Sequence, residues 1–116
     1  AWSSNTGNSS YGTITTTSSS KGYWVYLSSS ATVSMDGTDT STAFNTLVTN
    51  ASAGWTLAAT TTTVSDVSTA YLVWIYTNGV WQYATNDTTL NTTLDSLGYK
   101  LTTVINAYSA YWLYKL

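Results

Sequence analysis

The chain has no cysteine, no proline and no histidine, and its only cationic side chains are three lysines. Its five acids are all aspartate. Without Cys or His there is no ordinary zinc site, no thiolate nucleophile and no imidazole base. No disulfide can staple the fold. Lys21, Lys100 and Lys115, with no arginine beside them, cannot build a phosphate-neutralising surface, so nucleic acid is a poor partner. The longest apolar run, Tyr71 to Tyr76, is strand-sized and far below the ~20 residues of a membrane helix, so no membrane insertion is expected. Ala1-Trp2-Ser3 shows neither a basic start nor an apolar stretch, so no signal peptide is read here and the chain is expected to be a processed or excised piece.

What remains is hydroxyls and rings. Seventeen serines and 25 threonines make up over a third of the 116 residues, a length that suits one domain with a modest core. Six Trp, ten Tyr and one Phe supply the large apolar bodies that a disordered tract lacks. A hydroxyl-rich, charge-poor surface suits an extracellular setting. The net charge of −2 gives little repulsion between copies and so permits self-association.

Along the chain, Gly22-Tyr23-Trp24-Val25-Tyr26-Leu27 predicts a strand, and Ala31 to Met35 a second that ends at Asp36-Gly37. Ala43, Phe44, Leu47 and Val48 share one short helical face, and Gly54 to Ala58 predicts a strand. Tyr71 to Tyr76 and Val80 to Ala84 flank Thr77-Asn78-Gly79. Asn-Gly accepts the positive φ angles of a type I′ turn, which makes this a β-hairpin. Leu90, Leu94 and Leu97 recur at helical spacing behind Asp87 and Thr88, which can cap, and before Gly98, so residues 88 to 97 predict a short helix. Tyr108 to Leu116 predicts a last strand, with Tyr111 and Leu113 on one side and Tyr108, Ala110, Trp112 and Tyr114 on the other.

The start of the chain echoes its end. A shift of 88 residues lays Tyr11 on Tyr99, Thr15 on Thr103, Tyr23-Trp24 on Tyr111-Trp112 and Tyr26 on Tyr114. Residues 1–30 are therefore read as the tail of a preceding repeat or an inter-subunit segment, and 31–116 as a complete β-rich repeat unit.

The order Gly54-Trp55-Thr56-Leu57, Val73-Trp74-Ile75-Tyr76, Trp81-Gln82-Tyr83, Leu97, Ile105 and Tyr111-Trp112-Leu113-Tyr114 resembles the Trp-rich repeat modules of large secreted and surface-anchored bacterial proteins. Those modules run as GWNL, a VWxY hairpin, a leucine-bearing spacer and a closing GYWVY strand. The resemblance spans residues 54 to 116, with residues 11 to 27 as a second copy of the closing part. It departs from the pattern at Ala110, where the module has the glycine that Gly22 retains. It implies a β-rich extracellular module and transfers no catalytic residue.

The tryptophans offer two roles. Trp55, Trp74, Trp81 and Trp112 sit in strand patterns beside aliphatic residues, which suits core or interface packing. Their faces could also stack on sugar rings, with hydroxyls and amides supplying hydrogen bonds. Trp2, isolated in a polar stretch, reads as an anchor that docks on a neighbour; Tyr11, Tyr23 and Trp24 join it as candidate assembly contacts. Asp36-Gly37-Thr38-Asp39 offers at most two oxygens to a calcium ion that wants six to eight, and reads as a turn. Asp66 and Asp95 could be imagined as paired carboxylates for glycoside hydrolysis, but a turn and a solvent-facing helix position suit them better. No enzyme activity, metal or cofactor is expected. Asn-x-Ser/Thr occurs at Asn8, Asn50, Asn86 and Asn91, close to the number that so many hydroxyls produce by chance.

The expected fold is an all-β, mainly antiparallel sandwich or partly open barrel with one short helix. The expected function is structural: an extracellular filament subunit or tandem adhesin module at the cell surface, a homo-polymer joined through β-edges and aromatic patches. The alternative is a carbohydrate-binding module that stacks glycans on Trp and Tyr.

Overall fold

The structure, a computed structural model, describes residues 16–25, 28–30, 32 and 42–116. A helix α1 (Phe44–Asn50) precedes strand β1 (Gly54–Thr60) and the hairpin of β2 (Leu72–Thr77) and β3 (Val80–Ala84). Helix α2 (Thr88–Ser96), the two-residue β4 (Lys100–Leu101) and β5 (Ser109–Lys115) complete the order. The five strands form one sheet in the order β1-β5-β2-β3-β4, antiparallel throughout except where β4 joins β3. The mainly antiparallel β class with a short helix is thus what the chain adopts. Its layering is one open sheet among the described residues, not closed into a barrel, and it carries two helices rather than one.

Local chemistry accounts for the elements. Asn78 and Gly79 have φ of 52° and 78°, as a type I′ turn requires, and they set Thr77 opposite Val80. Asp87 caps α2 by accepting a 2.8 Å hydrogen bond from the Leu90 amide. The helix ends in a Schellman arrangement, with the Tyr99 amide donating to the Leu94 carbonyl and the Gly98 amide to that of Asp95. The chain enters β5 through Tyr108, whose φ of 60° lies in the left-handed region. Ala110 lies two positions later, within β5.

Strand alternation sorts the side chains onto two faces. One face carries Ala58, Val73, Ile75, Ala84, Tyr111 and Leu113, buried beneath α1 and the loop residues Val67, Ala70 and Ile105. Phe44 anchors α1 there, its ring 5.7 Å from that of Tyr111. On the other face α2 sets Leu94 and Leu90 against Leu72, Tyr83 and Tyr114. The Tyr83 hydroxyl donates to Asn91 Oδ1 at 2.8 Å and so ties the helix to β3.

Over its described residues the strand expected from Gly22 does not form: Lys21 makes a single bridge to Ala58, and Gly22 to Val25 continue without strand structure. Residues 26–27 and most of the expected strand 31–35 lie outside the described residues.

Candidate functional site

The face that α2 covers only in part is an aromatic surface. Register places Trp74 of β2 opposite Trp112 of β5, Trp81 opposite Tyr76, and Trp55 of β1 opposite Tyr114. Parity turns all of these rings to the same side. Trp55 and Trp112 stand at 89° with centroids 6.5 Å apart; Trp74 and Trp81 stand at 85° and 6.3 Å. Tyr99, delivered by the end of α2, meets Trp74 at 4.8 Å and 79°. The five rings line an open cleft of about 570 Å³.

Trp74 packs against the Leu72, Tyr83 and Leu94 cluster, but no tryptophan is among the fully buried side chains of the described residues. The largest fully buried side chains are Tyr83, Tyr111, Ile105, Leu113 and Val73. Trp55 remains 53% exposed, and Trp74, Trp81 and Trp112 are half-buried. Edge-to-face pairs of this kind contribute about 0.5–1.5 kcal/mol each beyond their burial, so the rings brace one another while their outer faces stay accessible.

Among the candidate assembly contacts, Trp2 and Tyr11 lie outside the described residues. Tyr23 and Trp24 belong to a strap that crosses the aromatic face. The Ala59 amide donates to the Ser20 carbonyl at 3.2 Å, and the Gly22 amide to that of Leu57 at 3.5 Å. Gly22 then presses on the sheet so closely that a Cβ there would lie 2.7 Å from the Leu57 side chain and 3.0 Å from Ala110 Cβ. The Tyr23 hydroxyl accepts from the Ser18 amide at 3.0 Å. Trp24 docks on Trp81 at 6.3 Å and on Tyr76 at 6.5 Å, and stays 55% exposed.

A second feature adjoins the cleft. β1 is an edge of the sheet, and among the described residues its outer side pairs only at the Lys21–Ala58 bridge. The backbone groups of Trp55 point the same way as those of Leu57 and Ala59, because direction repeats every second residue. The edge opens into a groove of about 610 Å³ lined by Lys21, Gly22, Leu47, Trp55, Thr56 and Leu57, among others.

Among the described residues no acid lines the cleft. Asp66 closes a turn by accepting from the Ser68 amide at 2.9 Å, and the hydrogen bonds from Ser68 hold its carboxyl below the usual carboxylate range. Asp95 is exposed on α2, and Asp36 and Asp39 lie outside the described residues. No cluster of three or more potential metal ligands occurs among the described residues, and no helix among them is long and apolar enough to cross a membrane.

Sequence reasoning singled out four of the five cleft rings and missed Tyr99. Its signal was the position just after the helix-ending Gly98, where an apolar side chain commonly folds back on its own helix. Tyr76 was read only as part of a strand, yet its ring lies 5.1 Å from Trp81 and extends the surface. No protein-family profile, curated protein or solved structure matches this chain.

Proposed function

We propose that this chain is a structural extracellular protein, a subunit of a surface filament or a tandem adhesin module of the Trp-rich repeat kind, whose copies join by strand exchange along the outer edge of β1. The observation that carries this reading is the unfinished pairing of the strap. Residues 22–27 are a dense aromatic and β-branched run of the kind strands carry, but the strap leaves β1 after one bridge. The Trp55 end of the β1 edge, beyond the Lys21–Ala58 bridge, keeps no strand partner among the described residues, and an unpaired edge is a template for another chain.

The occupant is the Gly22–Leu27 segment of a second copy. It matches β5 at Tyr23, Trp24 and Tyr26, and β5 is the strand that already pairs with the inner side of β1. Continued from the Lys21–Ala58 bridge, antiparallel register sets Tyr23 opposite Thr56 and Trp24 opposite Trp55. Tyr23 would then share a face with Tyr111, and Trp24 with Trp112. Low net charge supports close packing of copies.

Electron microscopy of the native material tests the structural role: filaments or other ordered polymers are expected, and monomers alone at high concentration overturn it. Disulfide trapping with Tyr23→Cys and Thr56→Cys tests the joint. Strand exchange gives a covalent ladder on a non-reducing gel, whereas polymers with no ladder leave the structural role standing and remove the exchange.

A further inference from the structure

The aromatic cleft has a chemistry of its own that the edge-pairing reading does not use. Its lining is Trp55, Trp74, Trp81, Tyr99 and Trp112, with no charged side chain among them. Four indoles offer N–H donors and one phenol completes the set, so the side chains of the described lining carry almost no hydrogen-bond acceptor. A primary ammonium is strongly hydrated and gains no acceptors from these rings that would replace its water, and a sugar finds few for its hydroxyl protons. An anion would face the negative faces of the rings with no cation to hold it. A cation with no N–H, wrapped in methyl groups, matches every one of these constraints.

We infer that the cleft binds a fully methylated ammonium group. The ring geometry suits it. A cation is held over the face of an aromatic ring within about 6 Å of its centre, and the cleft gathers five rings whose outer faces stay accessible. The Trp55–Trp112 pair, at 6.5 Å and 89°, and the Trp74–Trp81 pair, at 6.3 Å and 85°, are edge-to-face contacts that hold these rings in fixed orientation. Tyr99 adds a further wall, 79° to Trp74. The volume of about 570 Å³ exceeds that of one such head group and leaves room for the chain that carries it. Strand alternation sends Lys100, the residue after Tyr99, to the opposite face with its partner Gln82, so no lysine of β4 opposes the cation. The net charge of −2 adds weak long-range attraction.

Titration of tryptophan fluorescence in the intact protein tests the assignment. The probes are choline, tetramethylammonium, ammonium, the neutral isostere 3,3-dimethylbutan-1-ol, cellohexaose, and vesicles of phosphatidylcholine or phosphatidylglycerol. Choline and tetramethylammonium should quench saturably, and the neutral isostere should bind at least tenfold more weakly. Ammonium and cellohexaose should give no saturable change. The vesicle arms separate the possible carriers: binding to phosphatidylcholine assigns a lipid head group, and binding to free choline alone assigns a soluble ligand or methylated side chain.

Two exposed positions give variants that spare the core. Trp55→Leu and Tyr99→Leu keep apolar bulk and remove a ring face, so each should weaken choline about tenfold or more while leaving the isostere unchanged. Thermal melts confirm that both variants fold. Equal affinity for choline and its isostere, a preference for cellohexaose, or no saturable response to either methylated cation overturns the assignment. None of these outcomes depends on whether copies polymerise.

Discussion

Phe44 and Tyr111 meet with ring centroids 5.7 Å apart at 59°, and this contact joins α1 to the central part of the sheet. Tyr111 is 1% exposed, and its hydroxyl has no hydrogen-bond partner among the described residues. A buried hydroxyl left without a partner forfeits the bonds it made to water. Tyr111→Phe should therefore raise stability by about 1 kcal/mol in urea denaturation. A loss of the same size would mean that the hydroxyl is satisfied after all.

Alkaline stability follows from the same burial, which pushes the Tyr111 hydroxyl up to about 12. The folded protein holds this proton more tightly than the unfolded chain does. Its contribution is fully present below the unfolded value near 10 and is lost as pH rises towards the folded value. Burial, with the Asp95 charge adding to it, raises Tyr83 in the same direction. Thermal melts should show a fall in stability above about pH 10, shallower in Tyr111→Phe, with Tyr83 responsible for what remains. A flat profile from pH 9 to 12 would contradict both shifts.

The two faces of the sheet should respond differently to truncation. Leu113, 1% exposed on the α1 side, should cost about 3 kcal/mol when replaced by alanine, because a cavity is left behind. Trp55, 53% exposed on the other side, is the larger residue, yet Trp55→Ser should cost only about 1 kcal/mol. Paired denaturation curves measure both. A larger loss at Trp55 would make the aromatic face part of the stabilising core.

Tyr108 combines a φ of 60° with 86% exposure. The left-handed conformation costs a non-glycine residue roughly 1–2 kcal/mol, and little packing compensates for it here. Tyr108→Gly should raise the melting temperature, although added freedom in the unfolded chain offsets part of the gain. An unchanged or lower melting temperature would show that the Tyr108 ring has a role in holding the bend.

Gly22 is limited by space, since a Cβ there would come within 2.7 Å of Leu57 and 3.0 Å of Ala110. Gly22→Ala should lift the strap without disturbing the sheet. The expected readouts are faster proteolysis before residue 25 and a red shift in tryptophan emission as Trp24 leaves Trp81. Unchanged cleavage would mean that Leu57 moves aside.

Local features were legible without a structure. The Asn78-Gly79 turn, the Asp87 cap and the leucine spacing of α2 each rest on chemistry within a few residues, as does the α1 face at Phe44 and Leu47. The alternation of Tyr111 and Leu113 with Trp112 and Tyr114 also identified which side of β5 is buried. The strap was misread as a strand because aromatic and β-branched content measures suitability for a sheet, while pairing needs an edge in register along its length. Here Gly22 draws the chain onto the face of the sheet, and Trp24 finds Trp81 and Tyr76 there.

The absences met at the outset, of histidine, cysteine, arginine and glutamate, are fixed by composition alone and set the limits of the chemistry this chain can perform. The hairpin and α2 were likewise written into short stretches of residues. Which rings fill the core and which line a cleft was decided only by tertiary structure, through the order in which the strands pair. β5 lies between β1 and β2, so Trp55, Trp112, Trp74 and Trp81 fall on one face across four adjacent strands, although they are spread over 58 residues of sequence. α2 is too short to cover them all, and the part it leaves open is the cleft.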